Sequence, residues 1–572
     1  MTYRAPVSDI VFALKHAAGF SEALSEGLYG DLDEATVDAV LEEAGKFATD
    51  VIAPLNRAGD RFGTPFKDGV VTTPPGWKEA YTSWAAAGWN GLAGPADWGG
   101  QELPHAVNAA CVEMWNSASM AFGIGPVLTM AATDALHAYG SRELQDRYLR
   151  KLVSGEWMGT MQLTEPQAGS DVGALRTRAT RSEDGTYRIV GSKIFITYGE
   201  HDLTDNIIHF VLARLPDAPG GTKGISLFLI PKFLPDGTRN DVRAHSVEHK
   251  LGIHASPTCT MIYGDNAGAV GFLIGEEHKG MAAMFTMMNR ARLAVGLQGV
   301  AIAETATQQD AAYARERKQG SGGAIVHYPD VKRMLLTMRA LTGAARAICY
   351  QTGVALDRSL REEEAKRKAA HERASLLTPV AKAFSTDIGI EVASLGVQVH
   401  GGMGYIEETG AAQHFRDARI AAIYEGTNGI QALDLATRKV PLDEGNTVAA
   451  YISELRRTAD AVRTSNAPGF GATAARLGET IDSLERATQW ILANKGSDAV
   501  LAGATPYLKL FGTAAGGCLL AEQALAAARN GDGSARVALA RFFAENIAPQ
   551  ASGLECVVTA GADSILEVAL PE

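Results

Sequence analysis

Nine consecutive residues, Ile423 to Gln431, set one carboxylate, Glu425, between an aromatic ring at Tyr424 and a glycine at Gly426. The apolar run Ile420-Ala421-Ala422-Ile423 leads into it. A carboxylate delivered by an apolar segment is desolvated, which raises its pKa toward neutrality. A general base works best there. Gly426 removes a side chain next to the carboxylate, leaving room for a flat ligand to approach the backbone. Taken alone, the stretch also reads as a helix end whose glutamate reaches water.

Four other stretches carry residue types suited to a planar or phosphorylated ligand. Met161 to Asp171 follows an apolar strand, turns at Pro166 and Gly169, and offers hydroxyls at Thr164 and Ser170. In Gly191 to Gly199, strand alternation places Phe195 and Thr197 on one face, an aromatic ring beside a hydroxyl. Gln398-Val399-His400-Gly401-Gly402-Met403-Gly404-Tyr405 is glycine-rich but lies outside any strand–helix–strand unit, so it is no Rossmann fingerprint. His400 reads as structural. Arg315 to Gly320 is a basic helix end able to meet a phosphate. Each also has an ordinary reading, as a strand exit, a half-buried strand or a solvated helix terminus.

The elements that position these stretches follow a simple plan. Residues 1–34 read as an appended arm, with a short helix from Val7 to Lys15. Residues 35–155 read as a helical domain. Asp33 or Thr36 caps its first helix and Pro54 ends it. Further helices run from Trp77 to Ala87, Leu103 to Ser119, Pro126 to Tyr139 and Ser141 to Ser154, and Trp77, Trp84, Trp89 and Trp98 fill a helical core. Residues 156–280 carry short strands broken by turns, the pattern of a small barrel or sandwich. Residues 281–440 read as a helical bundle containing Glu425, with Arg361 to Lys368 a solvated helix face. Residues 445–572 read as an extra helical bundle, in which Leu477, Ile481, Leu484, Thr488 and Ile491 recur at helical spacing.

The 572 residues, with 46% hydrophobic and 21% charged content, suit a large globular chain. The net charge of -12 and the lack of a basic stripe argue against nucleic acid or an anionic membrane as partner. The five cysteines form no C-x-x-C pair and no metal-ligand spacing, and read as free thiols of a reducing compartment. The N-terminus lacks a signal-peptide core, and no run of 18 apolar residues is present. The expected location is the cytoplasm.

The five stretches, in this order on a helix–strand–helix plan, resemble the acyl-CoA dehydrogenases over roughly residues 35–440. The pair Thr164-Glu165-Pro166…Ala168-Gly169-Ser170-Asp171 and Ile423-Tyr424-Glu425-Gly426-Thr427 is the specific part. The arm and the C-terminal extension are similar to a large bacterial subgroup, within which the likeness is greatest to members acting on 3-methylmercaptopropionyl-CoA. The resemblance implies an α+β fold: an N-terminal helical domain, a middle β-barrel or sandwich, a C-terminal helical bundle and the extension.

It also implies roles. Glu425 matches the catalytic base. Some relatives carry the base just before the arginine of the Met281-to-Val295 helix, and Ala291 stands there, before Arg292. Leu163, Thr164, Phe195 and Thr197 match residues around the flavin ring of FAD, with Phe195 in place of the usual tryptophan. Ser170 matches a position near flavin phosphate or CoA. Arg317, Gln319, Gln398 and Gly402 match contacts to the FAD of a neighbouring subunit in a homodimer, and Thr427 a contact near adenine. Arg292 and Tyr424 are implied on the substrate side. Gly320 to Gly323 replaces the family's usual aromatic. The implied reaction is α,β-dehydrogenation of an acyl-CoA thioester, with electrons passing to an electron-transfer flavoprotein. Other short, medium or aryl acyl-CoA substrates, an acyl-CoA oxidase, and a non-catalytic binding protein on the same fold are the competing readings.

Overall fold

The computed structural model describes residues 3–465, 467–529, 531 and 533–569. The chain divides into two compact units that do not follow chain order. One, wholly helical, comprises Met1–Ala48, Pro104–Ser117 and Arg292–Glu572; the other, Thr49–Leu103 and Ala118–Ala291, holds the sheet.

In the second unit the strand path runs Ala269–Ile274, Ile225–Pro231, Ile207–Arg214, Arg178–Arg181, Tyr187–Thr197, Thr258–Tyr263, Val242–Val247. Ala269–Ile274 also pairs with Tyr187–Thr197, closing the sheet on itself as a small barrel. Met158–Gln162 adds to Ile207–Arg214 in parallel. The near-continuous apolar run of Ile207–Arg214 is what a strand covered on both faces requires, and seven of its eight residues are buried. Its one buried polar residue, His209, lies between Thr160 and Gln162, which approach its Nδ1 at 2.9 and 2.8 Å. Burial pushes that imidazole down to about 3, so it is a neutral core residue.

The same unit corrects three expectations. Pro54 does not end the helical segment: the α-helix stops at Phe47, and a π-turn and a 3₁₀ turn carry the chain through Pro54 into Asn56–Phe62. The residue missing its N–H falls at the start of the 3₁₀ turn, where none is needed. Pro126 does not start a helix: Met120–Tyr139 begins six residues earlier, capped by Ser119. Trp77, Trp84 and Trp98 are buried as expected, but Trp89 is only half-buried.

In the helical unit, Gly280–Glu316 (from Arg292 on), Pro329–Arg361 and Glu364–His400 are the long supports. Arg361 to Lys368 is not one helix face; Glu362 and Glu363 form the break between two of these helices. The expected arm is docked within this unit. Tyr3 is buried, Arg536 donates to Asp9 at 2.7 Å, and Tyr29 donates to Asp357 at 3.2 Å. The C-terminal residues form Asn446–Ser465, Thr473–Ala493, Asp498–Arg529, Ser534–Asn546 and Ala551–Ala560. Asp498–Arg529 is long and apolar enough to cross a bilayer, but 89% of its most apolar window is buried among neighbouring helices.

A buried charge cluster ties this unit together. Glu113 accepts from Arg346 at 2.8 and 2.6 Å and from the Tyr350 hydroxyl at 2.5 Å, while Arg346 also donates to Glu304 at 2.7 Å. Removing one partner strands an uncompensated charge. Glu113→Ala should therefore lower stability by about 3–5 kcal/mol in chemical denaturation, whereas removing Glu43 from its solvent-exposed pair with Lys46 should leave stability nearly unchanged.

Candidate active site

In the helical unit, Glu425 sits in a backbone turn that L-residues rarely adopt. Its φ is +56° and that of Gly426 is +86°. Two successive left-handed residues reverse the chain between the 3₁₀ turn Arg419–Ala422 and the helix Asn428–Asp434. A glutamate there costs roughly 1–3 kcal/mol, so the surroundings must enforce it. Gln431 does so from one side, donating to the Gly426 carbonyl at 3.4 Å. A Cβ on Gly426 would lie 2.7 Å from Gln431 Nε2. The glycine thus serves the turn and the packing of Gln431.

The helix after the turn is capped by Thr427, whose hydroxyl accepts from Ile430 N at 3.2 Å. Asn428 binds this helix start to Glu364–His400. Its Oδ1 accepts from Lys382 Nζ at 2.8 Å, and its Nδ2 donates to Thr386 Oγ1 at 3.0 Å and Asp387 Oδ1 at 2.7 Å. Tyr424 donates its hydroxyl to Gln298 Oε1, and Gln298 donates to Asn116 at 3.3 Å. The Tyr424 hydroxyl thus helps to fix the backbone beside Glu425.

The Glu425 residue keeps part of its surface open, yet the protein packed around its carboxyl desolvates it. Desolvation pushes its pKa up to about 7, against the opposing pull of Arg292 and Lys382. Arg292 is itself buried, and among the described residues its Nε has no hydrogen-bond partner. The alternative base position, Ala291, lies in the apolar core of the other unit.

In the β-containing unit, Leu163 and Thr164 are half-buried on the segment leaving Met158–Gln162. Ile194 N donates to the Thr164 carbonyl at 3.0 Å, joining this segment to Tyr187–Thr197. The strand has a bulge between Lys193 and Ile196, so strict alternation fails there. Phe195 takes φ +60° and is 60% exposed, a large aromatic surface open to a planar ring; Thr197 is half-buried beyond buried Ile196. An exposed ring held on strained backbone next to a half-buried hydroxyl fits a flavin, whose ring system is flat and hydrogen-bonding at its edge.

Beneath these residues is a buried ion pair that the sequence reading left unassigned. Lys193 donates to Glu165 at 2.8 Å and to the Leu163 carbonyl at 3.0 Å. Glu165 also accepts from Arg176 N, Thr177 N and Thr177 Oγ1 at 2.7, 3.0 and 2.6 Å. Burial alone would raise the Glu165 carboxyl; Lys193 and these donors outweigh it and hold the pKa at about 2. The sequence signal was a charge at Lys193 directly before the apolar run Ile194-Phe195-Ile196, with a glutamate 28 residues earlier.

Other expected residues are placed as follows. Ser170 is exposed just past the tight bridge between Glu165 and Ala168. Arg317, Gln319, Gln398 and Gly402 are exposed on the helical unit, beside exposed Met403, Tyr405 and Ile406. The Gln319 carbonyl accepts from Tyr328 at 2.7 Å. His400 is structural, bonded to Asp310 at 2.9 Å and stacked on Tyr313.

Comparison with known proteins accounts for both halves of the chemistry. Family models match along the chain: the acyl-CoA dehydrogenase N-terminal domain over 34–156, the middle domain over 160–266, the C-terminal domain over 278–440, and the acetyl-CoA dehydrogenase C-terminal-like domain over 448–569. The 3-methylmercaptopropionyl-CoA dehydrogenase of Ruegeria pomeroyi is 45% identical over the whole of both chains. The chain belongs to the acyl-CoA dehydrogenase family. A butyryl-CoA dehydrogenase of Syntrophomonas wolfei is 34% identical over 96% of each chain. Among solved structures, Caenorhabditis elegans ACDH-11 with C11-CoA has a TM-score of 0.79 at 20% identity, over 95% of this chain and 91% of that one. An acyl-CoA dehydrogenase from Bacillus anthracis, complexed with FAD, has a TM-score of 0.77 at 20% identity, over 94% and 90%. As an acyl-CoA dehydrogenase the chain is an FAD-dependent oxidoreductase acting on acyl-CoA, with a C-terminal domain beyond the three common ones.

Lys193→Met would leave Glu165 buried and unpaired. Beyond a stability loss of about 3–5 kcal/mol, it should loosen the register between the Leu163–Thr164 and Phe195–Thr197 segments. Flavin should then be lost on gel filtration under conditions in which the parent protein stays yellow.

Proposed function

We propose that this acyl-CoA dehydrogenase converts 3-methylmercaptopropionyl-CoA to methylthioacryloyl-CoA, a step of dimethylsulfoniopropionate degradation. Glu425 is its base. The observation that carries the role is the desolvated carboxylate on an enforced left-handed turn; what supports the substrate is the full-length likeness to the Ruegeria pomeroyi enzyme.

The thioester α-proton is a weak acid, and the step needs a carboxylate whose basicity approaches neutrality. Glu425, with its pKa near 7, meets that need and stays partly ionised at neutral pH. Among the described residues no acceptor takes the Glu425 backbone N–H, so it is available to the thioester carbonyl as charge develops there. Such a donor contributes about 3 kcal/mol. Arg292 and Lys382 stabilise the ionised base. FAD, when bound, supplies the hydride acceptor for the β-hydrogen; Leu163, Thr164, Phe195 and Thr197 would hold its ring. Thr427 accepts from Ile430 N in the helix cap, which leaves its hydroxyl proton for an adenine contact.

Electron-transfer flavoprotein is the proposed acceptor, and the cytoplasm the proposed location. Gln398 and Gly402 beside exposed Met403, Tyr405 and Ile406 favour a homodimer in which Arg317 and Gln319 reach the partner's FAD. A short straight-chain substrate is the second reading, favoured by the Syntrophomonas wolfei relatives named for butyryl-CoA.

Anaerobic bleaching of the flavin by a panel of acyl-CoAs tests the substrate. The methylthio thioester should bleach it fastest; faster bleaching by butyryl-CoA would move the assignment to that substrate. Peroxide formation without an added acceptor would instead mark an oxidase. Glu425→Gln should retain FAD and lose turnover by at least about 10²-fold; a variant still active within a few-fold would sink the base assignment. The bleaching rate of the parent should fall as pH drops through about 7, because protonating Glu425 removes the base.

A further inference from the structure

Lys382 is a buried cation whose hydrogen bond ties the segment after Glu425 to a neighbouring helix. It is 0% exposed on Glu364–His400, one helical turn from Thr386, so the two share a face. Its hydrogen-bond partner is a neutral amide, Asn428 Oδ1 at 2.8 Å, and not a carboxylate. The same amide is clamped by Ala383 O, Thr386 Oγ1 and Asp387 Oδ1 at 3.2, 3.0 and 2.7 Å. Asn428 opens the helix that begins three residues after Glu425. The lysine therefore holds the base segment by its hydrogen bond and acts on the base by its charge.

We propose that Lys382 is a positioning residue for the base: it pins the Glu425 turn through Asn428 and keeps the Glu425 carboxylate ionised between turnovers. The inference rests on the reading of Glu425 as base. A buried ammonium persists only with compensation, and the charged groups around it are limited. Glu425 and Asp387 act on Lys382 favourably and Arg292 unfavourably. Arg292 is in turn favoured by Asp434 and Glu425 and opposed by Arg438, and Asp387 feels Lys509 and Arg419 as well as Lys382. Asp387 is exposed and already bound by Asn428, which leaves Glu425 as the buried counter-charge. Burial lowers Lys382 to about 7 while burial raises Glu425 to about 7. Two groups so matched titrate as a pair, and losing one charge raises the energy of the other. When Glu425 takes up the substrate proton, its negative charge disappears and Lys382 is left uncompensated, which favours return of the proton to solvent once product leaves.

The test uses FAD-loaded protein: the parent, K382M, K382R and, as a control for the band assignment, E425Q. The infrared carboxyl C=O band that E425Q lacks is followed against pH, together with the pH dependence of anaerobic flavin bleaching. K382M should move the Glu425 midpoint and the acidic limb of bleaching up by roughly one to three pH units, and K382R should restore both. An unmoved midpoint in folded, flavin-loaded K382M would overturn the proposal. If K382M cannot be obtained with flavin, K382Q, which keeps a donor for Asn428 but no charge, carries the same expectation and the same refutation. An E425Q protein that still turned over would fail the base reading instead, so the two failures are separable.

Discussion

A carboxylate that must be buried to be basic, and ionised to react, is the constraint on which the helical unit turns. Protein packed around Glu425 raises its pKa to about 7. For a carboxyl so raised, burial destabilises the folded chain by a few kcal/mol at alkaline pH, a cost absent below about pH 4 where the group is protonated in both states. The left-handed turn at Glu425 and Gly426 adds strain. Neither would persist in an isolated segment. They are held by Gln431 behind the turn, Gln298 on Tyr424 and the Asn428 clamp onto Glu364–His400.

The other unit solves a related problem with the opposite electrostatics. Glu165 and Lys193 are also buried, but they satisfy each other and the neighbouring N–H groups, so Glu165 stays ionised to about pH 2. A fully bonded ion pair of this kind is a brace rather than a reactive group. It joins the two segments carrying Leu163, Thr164, Phe195 and Thr197, and permits the bulge that turns Phe195 outward. The contrast separates the proposed base from the brace: Glu425 faces cations without a saturating set of hydrogen bonds among the described residues, whereas Glu165 accepts five.

Much of this was legible in the residues. The strand punctuation led to the barrel, and the apolar run before Glu425 and the turn residues around Thr164 led to the segments proposed for the base and the flavin. Proline positions misled where capping outweighed them: Ser119 starts the helix containing Pro126. The bulge at Phe195 was hidden because alternation looks regular until Lys193 and Ile196 both have to face inward. Lys382 was invisible for a simpler reason. It precedes Asn428 by 46 residues, and a lysine within a helical run reads as solvated until a partner on another element is seen to bury it. The arm likewise read as appended because its partners, Asp357 and Arg536, lie hundreds of residues away.

The central claim is that Glu425 removes the substrate α-proton in the same stage that reduces the flavin. Anaerobic single-turnover bleaching with acyl-CoA deuterated at C2, and separately at C3, reads that stage directly. Glu425 as base predicts a primary isotope effect from each position. Bleaching insensitive to deuterium at C2 under conditions where C3 deuteration slows it would contradict the account.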